Sequence, residues 1–199
     1  RPSYQGSNPI SDVWSAKAIE MVGENIVQAV NEPDNQEARA NMLLAATYAG
    51  VGFGNAGCHL PHGMSYPVSG MVSEFIPKGY LGTGPIIPHG MSVALNAPAV
   101  FKFTATSNPD RHLEAAKFLG EEVSGADKNR AGEILADAVI SIMRQIGMPN
   151  GLRSVGYSEK DVDKLVDGTL PQHRVTKLCP IAFSRNDLKT MFLDAMDLW

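Results

Sequence analysis

Apolar residues recur at three- and four-residue spacing from residue 8 to about 30, where Ile10, Val13, Trp14, Ala18, Val22, Ile26 and Val30 share one stripe. That period predicts a long amphipathic helix, capped by Asn8 with Pro9 in its first position. In NEPDNQEARA, Asp34 and Glu37 stand as a capping-box pair before a second helix through Met42, Leu43, Ala46 and Ala49. After Pro88 the pattern resumes with Met91, Val93, Leu95, Val100 and Phe101, and a short helix is expected from about 109 to 119. From Asp127 onward, Ala131, Ile134, Leu135, Ala138, Val139, Ile142, Met143 and Ile146 match the helical template, with Gly147 as the stop. Two further helices, 158–166 and 184–198, each open on Ser-x-x-Asp. No internal repeat and no alternation of strands with helices is visible, so the expected fold is all-α, with residues 1–199 forming a single helical domain.

Between these helices the pattern breaks. Gly50, Gly52, Gly54 and Gly57 would each weaken a plain helix by about 1 kcal/mol relative to alanine, which predicts a close approach of another group there. From 67 to 88 the chain carries Pro67, Gly70, Pro77, Gly79, Gly82, Gly84, Pro85 and Pro88, and a long loop is expected.

Composition narrows the function classes. The 199 residues are 44% hydrophobic, enough for a full core, and the net charge of −4 comes without any Lys/Arg run, so a nucleic-acid partner is not expected. There is no apolar run long enough for a membrane span. Cys58 and Cys179 lie far apart and imply no disulfide framework, which suggests a reducing compartment. The opening RPSYQGSNP has no initiator Met and no leader-like pattern, and reads as a chain entered partway, a domain cut from something longer.

The candidate chemistry sits in residues 50–90, which hold both His-Gly dipeptides. His62 and His89 each lie near a helix start beside a proline, where restricted rotamers can aim two imidazoles at one divalent metal. The alternative is that both are helix-start histidines bonded locally. Cys58, His59 and His62 could form a small cluster, although Pro61 disturbs the helical geometry it would use, and Cys58 also reads as a small packed residue. His112 reads as a solvated helix face and His173 as a loop residue. Lys78, Arg174 and Lys177 could recognise an anionic substrate or lie on the surface. No phosphate-binding glycine loop is present.

The run AGVGFGNAGCHLPHGMSYPVSG, followed by IIPHGMSVALNAPAV, resembles the metal-binding half of the iron-containing (group III) alcohol dehydrogenases, and most of all their hydroxyacid–oxoacid transhydrogenase branch. The likeness covers residues 8–101, and GTLPQHRVTKL at 168–178 also fits that branch. The resemblance implies a C-terminal helical domain whose partner is an N-terminal nucleotide-binding α/β domain, with metal and substrate in the cleft between them. It implies that His62 and His89 are two metal ligands, for iron or zinc, and that one Asp and one further His come from upstream. Asp12 matches the family's helix-start Asp and not a ligand. Phe53 matches a position lining the substrate pocket. Tyr66 stands where many members carry a histidine beside the reacting carbon, so a hydrogen-bond donor remains there while a proton relay is in doubt. The loop between His62 and His89 is longer than in most of the family, which fits the transhydrogenase branch. The implied reaction is hydride transfer between an alcohol or hydroxyacid and an NAD held mainly by the other domain. The isolated chain would then be inactive, and a homo-oligomer is among the expected assemblies. The address would be mitochondrial for a eukaryotic transhydrogenase and cytoplasmic otherwise. The competing expectation is a self-standing helical scaffold or interaction domain descended from such an enzyme.

Overall fold

A computed structural model describes residues 5–82 and 84–199. Among them there is no strand. Helix α1 (Pro9–Asn31) starts where the sequence places it, with the Asn8 side chain accepting from the N–H groups of Ile10 (3.2 Å) and Ser11 (3.0 Å). A tight turn leads to α2 (Gln36–Ala56), which runs back along α1, so that the Gly6 N–H reaches the Ala56 carbonyl at 2.8 Å. The cap of α2 is Asn35, bonded to the Ala38 N–H at 3.0 Å, and not Asp34. Asp34 lies one residue too early, inside the turn.

The stripe expected on α1 is corrected. Ile10 (67% exposed), Val13 (65%), Trp14 and Val30 face outward, and the buried residues are Ser11, Ala18, Met21 and Asn25. The two long helices meet through small and amide side chains: Asn41 donates to Asn25 at 2.9 Å, and Gly52 lies against Ser15. Half of the glycine expectation therefore stands. Gly52 makes a close approach, and Gly57 ends α2 at φ +82 against Leu178, while a side chain at Gly50 or Gly54 would meet nothing.

The main core lies among the next helices. Leu60, Met64 and Val68 of α3 (Leu60–Gly70) pack with Leu95 and Val100 of α4 (His89–Thr104). α5 (Pro109–Phe118) is capped by Asn108, and α6 (Ala131–Gln145) contributes Met143. Leu165 and Val166 of α7 (Val162–Thr169), and Leu188, Met191 and Phe192 of α9 (Arg185–Asp194), complete the cluster. α8 (His173–Thr176) is a single turn between them. Both Ser-x-x-Asp boxes form: Ser184 N–H donates to Asp187 at 2.7 Å and Ser158 N–H to Asp161 at 2.9 Å.

Three further boundaries differ from expectation. α3 continues through Pro67 to Gly70, so the irregular segment occupies the described residues of 71–88; a proline on the packed side is tolerated because α3 is short and buried at Val68. The Val68 carbonyl near that helix end accepts from the Tyr157 hydroxyl at 2.6 Å. α9 stops at Asp194, and the last residues are held instead by residues 150–153: Leu152 N–H donates to the Ala195 carbonyl (2.8 Å), Arg153 N–H to that of Met196 (3.1 Å), and the Asn150 side chain accepts from Leu198 N–H (2.7 Å). His173 opens α8 and is not in a loop, and His112 is no solvated face residue, since its ring bridges the Asn108 carbonyl (2.9 Å) and the Thr104 hydroxyl (3.1 Å). No helix among the described residues is long and apolar enough to cross a membrane.

Candidate functional site

Two helix starts are brought side by side by small polar residues. His62 lies in the first turn of α3 and His89 is the first residue of α4. Between these helices Ser69 Oγ donates to Ser92 Oγ at 2.8 Å, and Ser92 Oγ donates to the His89 carbonyl at 2.8 Å. Serines at these contacts let the helix axes come close, and the imidazoles then meet edge to face, with ring centroids 5.3 Å apart and planes at 61°.

Ser65 adds directionality. Its hydroxyl donates to the His62 carbonyl at 2.8 Å, so toward His89 Nδ1, 3.5 Å away, it has only a lone pair to offer. That contact favours the His89 tautomer protonated at Nδ1, which leaves the Nε2 lone pair for a ligand. Burial, and after it the neighbouring His89, pulls the His62 pKa below its ordinary value, so the ring is neutral at neutral pH, the form a metal requires.

A cavity of about 480 Å³ opens beside the pair, lined by Phe53, Cys58, His62, Tyr66, His89 and Arg174. Tyr66 stacks on His89 (centroids 6.0 Å, 24°), and its hydroxyl oxygen accepts from Arg174 Nη2 at 3.1 Å. Phe53 is half exposed at the rim. Burial pushes the Cys58 thiol up, against a smaller pull from Arg174, so it stays protonated and serves as wall. The four residues expected from sequence, His62, His89, Tyr66 and Phe53, thus share one cavity. His59 is not among its lining residues, and Lys78 and Lys177 are not either. Asp12 is occupied elsewhere, paired with Arg111 at 2.9 Å. Among the described residues no three His, Cys, Asp or Glu side chains form a metal-binding group.

One contributor escaped the sequence reading, and another was named there without being singled out. Ser65 and Ser69 on α3, with Ser92 and Asn96 on α4, recur at helical spacing, and that polar stripe was the available signal of a close helix seam. Arg174 was one of three cations with no basis for choosing among them.

His59 carries a stability consequence. Its Nδ1 is buried without a partner, and burial, with smaller effects from His62 and His112, lowers its pKa from 6.5 to about 4. An unfolded chain takes up this proton near pH 6.5, whereas the folded chain does not until about 4. Stability present above 6.5 is therefore lost as the pH falls through this window, by on the order of 3 kcal/mol. Urea midpoints measured with chelator between pH 7.5 and 4 are expected to fall, and to fall less in H59N.

The model of the C-terminal part of the Fe-containing alcohol dehydrogenase family matches residues 3–196. The mitochondrial hydroxyacid-oxoacid transhydrogenase of Rattus norvegicus is 50% identical over 199 residues, covering 100% of this chain and 43% of that protein. Among solved structures, a 1,3-propanediol oxidoreductase superimposes with a TM-score of 0.83 at 26% identity, over 95% of this chain and 46% of that one. The sulfoacetaldehyde reductase of Bifidobacterium kashiwanohense, solved in complex with NAD+, gives 0.75 at 26% identity, over 96% and 44%. The chain thus spans less than half the length of each of these relatives.

Proposed function

Since the chain belongs to the iron-containing alcohol dehydrogenase family and matches its C-terminal part, we propose that it supplies the substrate side of a metal-dependent hydride transfer between a hydroxyacid and an oxoacid. The observation that carries this reading is the edge-to-face pairing of His62 and His89 on one cavity with Tyr66 and Phe53. His62 and His89 are two ligands of a divalent iron whose remaining ligands lie outside this chain, since catalytic sites of this kind use about three protein ligands and an open position. A nucleotide-binding domain outside this chain holds the NAD. The relatives named as hydroxyacid-oxoacid transhydrogenases support the substrate class, and their mitochondrial designation supports a mitochondrial address.

The metal, when bound, polarises the substrate oxygen and lowers the pKa of the alcohol, so that hydride leaves more readily to the nicotinamide. The chain's own residues do the rest. The imidazoles of His62 and His89 offer lone pairs, and the Ser65 hydroxyl oxygen facing His89 Nδ1 favours the tautomer that leaves Nε2 free. Phe53, Val175 and Leu178 give the cavity apolar walls that exclude water from the reacting carbon. The Tyr66 hydroxyl accepts from Arg174 and keeps its own proton to donate to the substrate.

The test is label transfer in the full-length protein. A hydroxyacid deuterated at its carbinol carbon and incubated with an unlabelled oxoacid, without added NAD, is expected to pass its deuterium to the oxoacid by way of retained cofactor. The isolated chain 1–199 is expected to hold metal weakly and to transfer none. Transfer by the isolated chain, or none by the full-length protein loaded with iron, overturns the reading.

A further inference from the structure

We propose that Arg174, braced by Tyr66, binds the substrate carboxylate and sets the preference of this cavity for hydroxyacids over uncharged alcohols. The proposal rests on the hydride-transfer reading and extends it to specificity.

Arg174 is placed from a different part of the chain than the histidines. It lies on α8, whose Val175 and Thr176 are buried, and α8 meets α3 where a side chain on Gly63 would come within 2.8 Å of Thr176 Cγ2. This close approach sets the guanidinium beside Tyr66, one turn beyond His62 on α3.

The charge pattern then points to an anion. Arg111, Arg130, Arg153 and Arg185 each pair with a carboxylate, whereas among the described residues Arg39, Arg144 and Arg174 do not, and of these three only Arg174 lines the cavity that holds His62 and His89. Arg174 pairs with none among the described residues, and its hydrogen bond goes to the neutral Tyr66 hydroxyl through Nη2. A guanidinium has five N–H donors, so at least four are left for a ligand. No described residue lining the cavity is a carboxylate, and Arg174 is the one permanently charged side chain among them. A carboxylate matches a guanidinium in a two-pronged, charge-assisted contact that a plain alcohol cannot make.

Tyr66 completes the recognition. Because its oxygen accepts from Arg174, its own proton is directed away from the guanidinium, and its ring, stacked on His89, spans the distance between the carboxylate end and the metal-ligand end. A bound hydroxyacid is thereby held at both ends, with the carbinol carbon toward the histidines.

The experiment compares, in the full-length iron-loaded protein, a hydroxyacid with its uncharged amide of the same chain length. R174Q is expected to raise KM for the hydroxyacid ~100-fold, and for the amide at least ~10-fold less, since the amide loses only the hold of Arg174 on Tyr66. R174K, which keeps the charge and loses the planar fork, is expected to raise KM ~10-fold. Calorimetry with a non-reacting carboxylate lacking the hydroxyl gives an independent reading: its Kd weakens ~100-fold in R174Q. A thermal midpoint unchanged in R174Q separates this loss from misfolding, since Arg174 is exposed on its helix. Equal losses for hydroxyacid and amide, or an unchanged Kd for the carboxylate, overturn the proposal. If the wild-type protein transfers hydride from neither substrate, the hydride-transfer reading falls, and the calorimetric comparison still decides whether Arg174 binds carboxylates.

Discussion

Replacing His62 or His89 with alanine in the full-length protein is expected to empty the site of iron and to lower hydride transfer at least ~10³-fold. The two rings face one another at 5.3 Å, and each lies at a helix start that the α3–α4 seam holds in place. Losing one leaves a donor set too small to retain the ion through purification. The double variant H62A/H89A should be no worse than either single one, because residues that act as a unit do not add. Metal content by mass spectrometry, read beside kcat, checks both statements. Ser65→Ala makes a graded comparison: it removes the hydroxyl that donates to the His62 carbonyl and faces His89 Nδ1, so metal affinity should fall by roughly 10–100-fold. Full iron occupancy in H62A would return both histidines to the status of locally bonded helix-start residues.

Replacing Gly151 with alanine is expected to cost about 3 kcal/mol or more and to lower the thermal midpoint by roughly 6–12 °C. Gly151 adopts φ +71, and a methyl group there would lie 2.6 Å from the Met196 carbonyl carbon and 2.7 Å from the Ala195 oxygen. Backbone on both sides leaves nothing flexible to yield. The left-handed conformation adds about 1 kcal/mol for any side chain. The same carbonyls take the N–H groups of Leu152 and Arg153, so shifting them also strains the bonds that hold the C-terminal residues. Differential scanning calorimetry measures the effect, and a midpoint within 2 °C of the parent would show that residues 195–199 move aside freely.

How far the sequence revealed this arrangement depended on whether the governing contact was local. α6 was legible because its apolar period and its stop at Gly147 lie within one stretch, although it begins at Ala131, after a 3₁₀ turn (Lys128–Arg130) that Asp127 caps. The Ser158 and Ser184 boxes were legible for the same reason. α1 was legible as a helix and partly misread as to face. Its buried residues are Ser11, Ala18, Met21 and Asn25, of which Ala18 alone belongs to the apolar stripe, while Ile10 and Val13 stay in the open, so apolar period placed the face only in part. α3 was cut short at Pro67 because a proline looks like a break until packing is known. The cavity itself divides in the same way. His62, His89 and Tyr66 could be picked out by motif, whereas the link from Tyr66 to Arg174 joins residues on α3 and α8, and nothing local to either distinguishes Arg174 from Lys78 or Lys177.

The segment from 71 to 88 connects the two histidine-bearing helices and is anchored at both ends, by Val72 and Phe75 against the core and by Ile87 within it. The spacing of the histidines is set by the Ser69–Ser92 contact and by burial of Leu60, Met64 and Leu95, and the segment is closed at its base by the Ile86 N–H donating to the Phe75 carbonyl at 2.7 Å. Lengthening such a closed segment costs little, since each doubling adds about 0.6 kcal/mol of closure entropy. The consequence is evolutionary: insertions and substitutions can accumulate between the two histidines, reshaping what borders the cavity, while the register of the histidines is inherited unchanged.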